Sequence, residues 1–275
     1  MLYLVSTPIG NLGDISPRAV ETLQNVDLVA CEDTRTSRAL FSLLGIRVKN
    51  TTAYHDHNAD AMRPKLIQKL NQGINIALVS DAGTPLISDP GYKLVRDCLK
   101  AGIKVSTIPG ANAVLSALQL SGMPSDSFYF GGFLPTKQGA RKEHLKTVQS
   151  LHTTLIFYES PNRLLKTLVD IESLYGEREV AVVREITKKF EEVQKDVVQN
   201  LIAHYNKMGT PKGEIVLVIA GASDETPHEP TNWKQLINSV RPAYPPKKAA
   251  EILAEQTGRS KKEIYQKIID YEKAK

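Results

Sequence analysis

Short apolar runs alternate with longer amphipathic stretches through the first half of the chain. The runs are compact and rich in Val, Ile and Leu, which is typical of strands that helices cover on both faces. Four of them are predicted as strands: LYLVST (2–7), VDLVAC (26–31), NIALVS (75–80) and KVSTIP (104–109). The alternation predicts an α/β domain whose strands pair mainly in parallel.

Residues with special backbone preferences mark the ends of the predicted helices. The pairs Ser16–Pro17 and Asp89–Pro90 each place a capping side chain before a proline that suits the first helical turn. Gly45, Gly73 and Gly102 stand where helix C-caps are expected.

The pattern restarts near Phe128 with a second set of strands. These are FYFGGF (128–133), TTLIFY (153–158), EVAVVR (179–184) and EIVLVI (214–219). The helices now alternate with longer extended segments such as FEEVQKD (190–196), so we expect a second, mixed sheet.

After Gly221 the composition becomes polar and proline-rich, which indicates a linker. The predicted organisation is therefore an N-terminal α/β domain (1–122), a second α/β domain (123–223), a linker (224–246) and a helical appendage (247–275). The appendage reads as two short helices, KKAAEILAEQT and KKEIYQKIIDY, joined by Gly258 with Ser260 as a cap. Its seven Lys and one Arg fit either a helix-turn-helix-like nucleic-acid unit or a solvated pair of packed helices.

Composition narrows the class of protein without fixing its function. The chain has 275 residues, of which 41% are hydrophobic and 24% charged, so disordered and fibrous classes are excluded. The net charge of +5 fits a polyanionic partner without requiring one. Cys31 and Cys98 each lie in an apolar run and are expected to be buried thiols. With no signal-peptide pattern and no apolar run of membrane-spanning length, we expect a cytoplasmic protein.

Several common chemistries are excluded by their missing motifs. The chain has no GxxxxGK[ST], no GxGxxG after a strand, no GxSxG and no HExxH, which argues against P-loop, dinucleotide-binding, serine-hydrolase and zincin sites. His55, Asp56 and His57 form a metal-like cluster, but no third ligand stands at a standard spacing. A polar loop is the favoured interpretation, and no metal is predicted.

Four Gly- and Pro-rich loops follow predicted strands: 7–14, 80–91, 109–113 and 158–163. In an open α/β sheet, ligands bind outside the carboxyl ends of the strands, where such loops gather. Ordinary turn chemistry explains any one of these loops, but four together favour a shared ligand crevice.

The motifs in these loops and strands closely resemble those of the ribosomal RNA small-subunit methyltransferase I family, a branch of the tetrapyrrole methylase superfamily. The similarity runs in order from about residue 3 to 220 and rests on TPIGNLGDIS, CEDTRTSRAL, LVSDAGTPLISDPG, IPGANAVLSAL, GGFLP, FYESPNR, REITKKFEE and KGEIVLVI. It implies two α/β domains with an S-adenosylmethionine cleft between them, a small helix-turn-helix-like C-terminal unit and a homodimer. It also implies 2′-O-methylation of a cytidine in the decoding region of small-subunit ribosomal RNA.

The same resemblance implies the cofactor positions, although the loop at Gly10 departs from the superfamily's usual GxGxGD run. Thr84 stands where an aspartate is usual, and Asp81 is expected to take over the polar role of that carboxylate. The implied positions are Pro8, Gly10, Asp81, Gly83, Thr84, Ile87, Ser88, Pro109, Gly110, Ala111, Asn112, Ala113 and Tyr158.

A ribose hydroxyl is a poor nucleophile at neutral pH, so methyl transfer needs a base or a nearby cation. Candidates for these catalytic roles are Glu32, Arg35, His55 and Lys188. Each also has a structural interpretation: Glu32 or Arg35 as part of an ion pair at a helix start, and Lys188 as part of a solvated face. Arg35 is also a candidate RNA contact.

Two other functions stay open at this point. One is a methyltransferase of the same fold that acts on a tetrapyrrole or another small substrate, against which the Lys- and Arg-rich segments argue. The other is a non-catalytic RNA-binding assembly protein that has kept the crevice.

Overall fold

A computed structural model describes residues 1–222, 233–257 and 260–273. The chain divides into two compact units, residues 1–222 and residues 223–275.

The first sheet of unit 1 is five-stranded and parallel throughout, as the sequence predicts. Its strands follow the order β3-β2-β4-β1-β5 and are β1 Leu2–Val5, β2 Leu28–Cys31, β3 Thr51–Ala53, β4 Ile76–Val79 and β5 Val105–Ile108. The helices that follow them are α1 Pro17–Asn25, α2 Thr34–Leu43, α3 Ala59–Asn71, α4 Tyr92–Lys100 and α5 Ala113–Ser121. Because all five strands run the same way, the loops after them gather at one edge of the sheet.

Most of the predicted helix ends are confirmed. Ser16 caps α1 by accepting a hydrogen bond from the Ala19 N–H at 3.1 Å. Gly45, Gly73 and Gly102 have φ angles of 66°, 86° and 69°, the left-handed conformation that ends a helix.

The predicted cap at Asp89–Pro90 is wrong. Helix α4 begins at Tyr92, with Gly91 at the N-cap position and a φ of 138°. A Cβ atom at Gly91 would lie 2.7 Å from Leu78 Cδ2, so the turn passes too close to the core for any other residue. Asp89 is thereby left outside the helix and lines a cavity.

The second sheet is mixed, as predicted. Its strands are β6 Phe128–Phe133, β7 Thr154–Glu159, β8 Glu179–Arg184, β9 Glu192–Val197 and β10 Ile215–Ile219. They follow the order β6-β7-β10-β8-β9, in which only the β6–β7 pair is parallel. Its helices are α6 Gln138–Val148, α7 Pro161–Tyr175 and α8 Val198–Met208.

Helix α5 joins the two sheets into one unit. It belongs to the first half by sequence, yet Val114, Ala117 and Leu118 pack against Ile156 and Val216 of the second sheet. The predicted domain boundary at residues 122 and 123 stays a prediction.

The C-terminal unit holds three described helices, α9 Trp233–Val240, α10 Pro246–Thr257 and α11 Lys261–Lys273. Helices α10 and α11 confirm the two predicted helices, and the Glu263 N–H donates to Ser260 Oγ at 3.3 Å. The linker prediction for 224–246 is wrong over α9, because Ile237 and Val240 are buried in the core of this unit. The first part of the predicted linker, 224–232, and the predicted joint at Gly258 lie outside the described residues.

Both cysteines are buried and free, as predicted, and burial raises the pKa of Cys98 to about 11. Within the described residues, no helix combines the length and apolar character needed to cross a membrane.

Candidate functional site

A cavity of about 270 Å³ lies where the loops of the first sheet meet the second sheet. The residues that line it are Ile9, Glu32, Asp81, Ala82, Gly83, Thr84, Ile87, Asp89, Asn112, Ala113, Phe133, Tyr158 and Glu214. The loops after β1, β2, β4 and β5 supply one wall, and β6, β7 and the start of β10 supply the other. The predicted crevice at the carboxyl ends of the strands is therefore present.

Direct hydrogen bonds join three of the predicted cofactor loops. Thr7 and Gly83 exchange two backbone hydrogen bonds, with N···O distances of 2.9 and 3.1 Å. Thr84 Oγ1 donates to the Ala111 carbonyl at 3.0 Å and accepts from Ser6 Oγ at 3.3 Å. These bonds hold the loops in one arrangement, which favours a preformed site.

The backbone of the loop after β4 is held in an unusual conformation. Leu86 and Ser88 have φ angles of 74° and 65°, values that residues other than glycine rarely adopt. Such strain costs on the order of 1–3 kcal/mol for each residue and is found most often at ligand sites.

Three of the four carboxylates in the lining, those of Glu32, Asp81 and Asp89, belong to the loops after β2 and β4. The Asp81 N–H donates to Glu32 Oε2 at 3.3 Å, and the Asp33 N–H donates to Asp81 Oδ1 at 3.0 Å. Burial raises the pKa of Glu32, and it raises that of Asp89 to about 6, with the charges of Glu32 and Asp81 adding to the rise at Asp89. With a pKa of about 6, Asp89 is still mostly ionised at neutral pH, so it can attract a positively charged ligand.

An apolar cavity of about 290 Å³ adjoins the acidic one and shares Ala113, Phe133, Tyr158 and Glu214 with it. Ile215 and Val216 add aliphatic surface to its wall. Burial raises the pKa of Tyr158 to about 12, so its phenol stays neutral. An acidic half beside an apolar half suits a ligand that carries both a cation and a flat hydrophobic ring.

Lys188, in the turn between β8 and β9, contacts one of the lining residues. Its Nζ lies 2.9 Å from Glu185 Oε1 and 3.0 Å from Glu214 Oε2. Burial alone would lower the pKa of Lys188, but the two carboxylates outweigh it and the pKa rises. Lys188 is therefore a cation at neutral pH rather than a proton acceptor.

The first loop packs directly against the turn that carries Lys188. The Asn11 N–H donates to Thr187 Oγ1 at 3.2 Å. A Cβ atom at Gly10 would overlap the Lys188 side chain, so the glycine permits the close approach of the two halves.

Residues 1–202 match the family model described as Tetrapyrrole (Corrin/Porphyrin) Methylases. The chain is 49% identical over 270 residues to a ribosomal RNA small subunit methyltransferase I of Mesorhizobium japonicum, covering 98% of this chain and 91% of that protein. The chain belongs to this methyltransferase I family. The family member of Escherichia coli O157:H7 is 45% identical over 271 residues, covering 98% of this chain and 94% of its own.

Solved structures confirm the tetrapyrrole methylase fold expected of a methyltransferase I family member. A diphthine synthase aligns with a TM-score of 0.62 at 15% identity, covering 80% of this chain and 89% of its own. A Thermus thermophilus uroporphyrin-III C-methyltransferase complexed with S-adenyl homocysteine aligns with a TM-score of 0.54 at 16% identity, covering 79% and 96% of the two chains.

The structure brings many of the predicted site residues of this family member into one place. Those that line the acidic cavity are Glu32, Asp81, Gly83, Thr84, Ile87, Asn112, Ala113 and Tyr158. Others belong to the same loops without lining it: Pro8, Gly10, Ser88, Pro109, Gly110 and Ala111.

Of the four predicted catalytic residues, Glu32 lines the acidic cavity, and Lys188 contacts the lining residue Glu214 without being a lining residue itself. The other two, Arg35 and His55, are not lining residues either. Arg35 is 90% exposed and pairs with Asp33 at 2.8 Å at the start of α2, which is the ion pair considered from sequence. The His55 N–H donates to Asn58 Oδ1 at 2.9 Å in the loop after β3. Their catalytic roles stay predictions.

Sequence reasoning missed Ile9, Ala82, Asp89, Phe133 and Glu214 as lining residues. The Asp89–Pro90 pair predicts a helix cap, and Phe133 and Glu214 lie at strand ends whose neighbours in space the sequence does not show. All five lie within motifs that carry the family resemblance, which was the available signal.

Proposed function

We propose that this protein transfers the methyl group of S-adenosylmethionine to the ribose 2′-oxygen of a cytidine in the decoding region of small-subunit ribosomal RNA. The observation that carries the proposal is the joined pair of cavities, one acidic and one apolar, between the two halves of unit 1. Membership of the methyltransferase I family, whose relatives are named for small-subunit ribosomal RNA, supplies the substrate class.

The lining residues fit this cofactor. Its sulfonium and ammonium groups are positively charged, and Glu32, Asp81 and Asp89 supply the matching negative charge. Its adenine is flat and apolar on its faces, and the second cavity offers Tyr158, Ile215 and Val216. Each cavity alone is slightly smaller than the range of about 300–1,000 Å³ for ligand pockets. The two adjoin, so together they offer a volume within that range.

When bound, the cofactor supplies an electrophilic methyl group. The residues of this chain have two tasks, to orient the ribose oxygen and to receive its proton. Correct orientation can lower the activation barrier by roughly 7–11 kcal/mol. The hydrogen bonds between the loops support this orientation because they hold the site in one arrangement. A carboxylate whose pKa is near 6, as at Asp89, holds a proton more readily than an ordinary aspartate and is still mostly ionised at neutral pH.

Cationic side chains are proposed to hold the RNA. Lys188 pairs with Glu214, a residue that lines both cavities, and Arg35 is exposed at the start of α2. A guanidinium so exposed is well placed for a phosphate, in keeping with the RNA-contact interpretation. The predicted homodimer stays part of the proposal, and sedimentation of the purified chain tests it.

The deciding experiment uses small ribosomal subunits from cells that lack this protein. Incubation with the purified chain and isotopically labelled S-adenosylmethionine, followed by mass-spectrometric nucleoside mapping, is expected to show one new 2′-O-methylcytidine in the decoding region. Large ribosomal subunits serve as the control and should remain unlabelled. Label on a base, or no label despite calorimetric binding of the cofactor, would contradict the proposal.

The salt dependence of binding separates RNA from small substrates. Contacts to phosphates make the affinity fall steeply as ionic strength rises, whereas a small neutral substrate shows little change. We expect binding to small subunits to weaken at least tenfold between about 50 and 200 mM salt.

A further inference from the structure

Phe133 is a large apolar side chain left 62% exposed at the mouth of the site. It lines both the acidic and the apolar cavity, and its ring centroid lies 5.2 Å from that of Tyr158 at an interplanar angle of 57°. The cofactor chemistry described above does not use it. An aromatic face held open beside a binding cavity is a surface on which a flat ligand can stack.

A β-bulge turns this ring toward the cavity. Phe130 pairs with Ile156 and Phe133 with Tyr158, so β6 has one residue more than β7 over the same stretch. In a regular strand, residues three apart point to opposite faces. The extra residue reverses this, and both Phe130 and Phe133 contact the Tyr158 ring.

Two glycines make the bulge possible. A Cβ atom at Gly131 would overlap the buried Phe157 ring, and Gly132 has a φ of 63°. A Cβ atom at Gly132 would also lie 3.4 Å from Ser88 Oγ, so the bulge approaches the strained loop on the opposite wall. The ring of Phe133 is thus presented at the point where the two walls meet.

Two arginines, the buried Arg141 and the partly buried Arg163, fix the segment that follows Phe133. Arg163 Nη2 donates to the Leu134 and Pro135 carbonyls at 2.6 and 3.1 Å. Arg141 Nη1 donates to the Thr136 carbonyl at 3.3 Å.

Each guanidinium is held in turn by a buried carboxylate. Arg141 pairs with Asp170 at 2.6 Å, and Arg163 pairs with Glu159 at 3.2 Å. Leu134 is itself buried. The exposed ring is therefore held on a rigid frame, which lowers the conformational entropy lost when a ligand stacks on it.

We propose that Phe133 is the stacking platform for the base of the nucleotide whose ribose is methylated, an inference that rests on the proposed function. A nucleobase has an apolar face and a polar edge, and Phe133 offers an aromatic face beside the polar Glu214 and Ser88. Stacking there holds the attached ribose at the mouth of the cavity, where its oxygen must reach the methyl group.

The adenine of the cofactor is the other flat ring that could occupy this face. A ligand bound in such a cavity has about 70–90% of its surface buried, so its adenine belongs against the enclosed walls of Tyr158, Ile215 and Val216. A ring still mostly open to solvent faces the incoming substrate instead.

The test compares Phe133→Ala and Phe133→Leu with Phe133→Trp, using Phe128→Ala as a matched control. Phe128 is an exposed phenylalanine at the opposite end of the same strand. We expect Phe133→Ala and Phe133→Leu to lower kcat/KM on unmethylated small subunits about tenfold or more, and Phe133→Trp and Phe128→Ala to stay within threefold of wild type. Calorimetric affinity for S-adenosylmethionine should be unchanged in all four variants.

A second measurement reads contact directly, without turnover. With p-benzoylphenylalanine at position 133 and no cofactor present, irradiation should cross-link the protein to the methylated cytidine or its immediate neighbours. The inference is overturned if Phe133→Ala weakens cofactor binding in parallel with kcat/KM, if kcat/KM is unchanged, or if the cross-link maps elsewhere. If the wild-type chain methylates no ribose, the proposed function fails, and that result is distinct from a failure of Phe133 alone.

Discussion

Asp89 is stabilised in its protonated form in the free protein. Burial raises its pKa to about 6, above the ordinary value of 3.8, and Glu32 and Asp81 add to the rise. The folded state therefore binds this proton more tightly than the unfolded chain does. The contribution of this proton to stability is fully present below about pH 4 and is lost as pH rises through 6.

The first prediction concerns cofactor affinity. A cationic ligand binds the ionised carboxylate, so we expect the affinity for S-adenosylmethionine to be about tenfold weaker at pH 5 than at pH 7. Asp89→Asn should bind weakly at both values and lose the dependence. Calorimetry between pH 5 and pH 7 measures the affinity for S-adenosylmethionine. Asp126→Asn, at an exposed position, is the control and should keep the wild-type pH dependence. A wild-type affinity that does not vary between pH 5 and 7 would contradict the assignment.

The same substitution should have the opposite effect on folding. Removing a half-buried charge that the fold disfavours is expected to stabilise the free protein at pH 7.5 by about 1 kcal/mol, after discounting for solvent screening. Urea unfolding of Asp89→Asn and wild type measures this difference. A residue that binds ligand at a cost in stability is typical of a functional site.

At the residue scale, sequence reasoning identified part of the site and missed the rest for identifiable reasons. Asp81 comes shortly after β4, and Tyr158 lies near the carboxyl end of β7, so their position at the ends of apolar strands could be predicted. Asp89 could not, because the Asp-Pro pair imitates a helix start, and only the contacts of Gly91 with Leu78 show that the helix begins later.

At the element scale, the bulge in β6 depends on one close contact. Gly131→Ala would push a methyl group into the buried Phe157 ring, and we expect a loss of about 1–3 kcal/mol in the free energy of unfolding together with reduced methylation. Gly139→Ala is the matched control because its Cβ atom would meet open space within α6. Gly139→Ala should raise the free energy of unfolding by up to about 1 kcal/mol, because alanine favours the helical conformation more than glycine does. Equal effects from both substitutions would show that the bulge is not constrained in this way.

The arginine that fixes the segment after Phe133 gives a second prediction at this scale. Arg141→Met leaves the carboxylate of Asp170, which is 0% exposed, without its main partner, and should cost about 3–5 kcal/mol by urea unfolding. Lys146→Met breaks an exposed pair with Glu143 and should cost less than about 1 kcal/mol.

The double variant Arg141→Met with Asp170→Leu should recover part of the loss, because no unpaired charge remains. Absence of any recovery would mean that the arginine stabilises mainly through the Thr136 carbonyl.

Elements were predictable where local pattern and tertiary packing agree. Strands β6 and β8 match their predicted ranges because β-branched and aromatic runs end at clear turn signals. Helix α9 was missed because its proline-rich flanks indicate a linker, whereas burial of Ile237 and Val240 within the C-terminal unit decides the outcome. The bulge at Gly131 cannot be read from sequence, since glycine also suits an ordinary turn.

At the scale of the whole molecule, the division after Ala222 predicts that the first unit is independent. A chain that ends at Ala222 should keep its thermal midpoint within a few degrees and bind S-adenosylmethionine as the full chain does. If the C-terminal unit contacts nucleic acid, the truncated chain should bind small ribosomal subunits more weakly and with a shallower salt dependence. Unchanged binding would favour the alternative of a solvated helical packing unit.

The placement of α5 bears on how the ligand gains entry. Its Val114, Ala117 and Leu118 lie on the second sheet while its first residue, Ala113, lines both cavities. A hinge opening that separated the two halves of unit 1 would remove this helix from its packing partners and expose its apolar face to water. Ligand entry and release must therefore depend on local rearrangement of the loops around the cavities. Cleavage of the chain after Gly122 should yield two fragments that reassociate spontaneously, and neither fragment should fold independently.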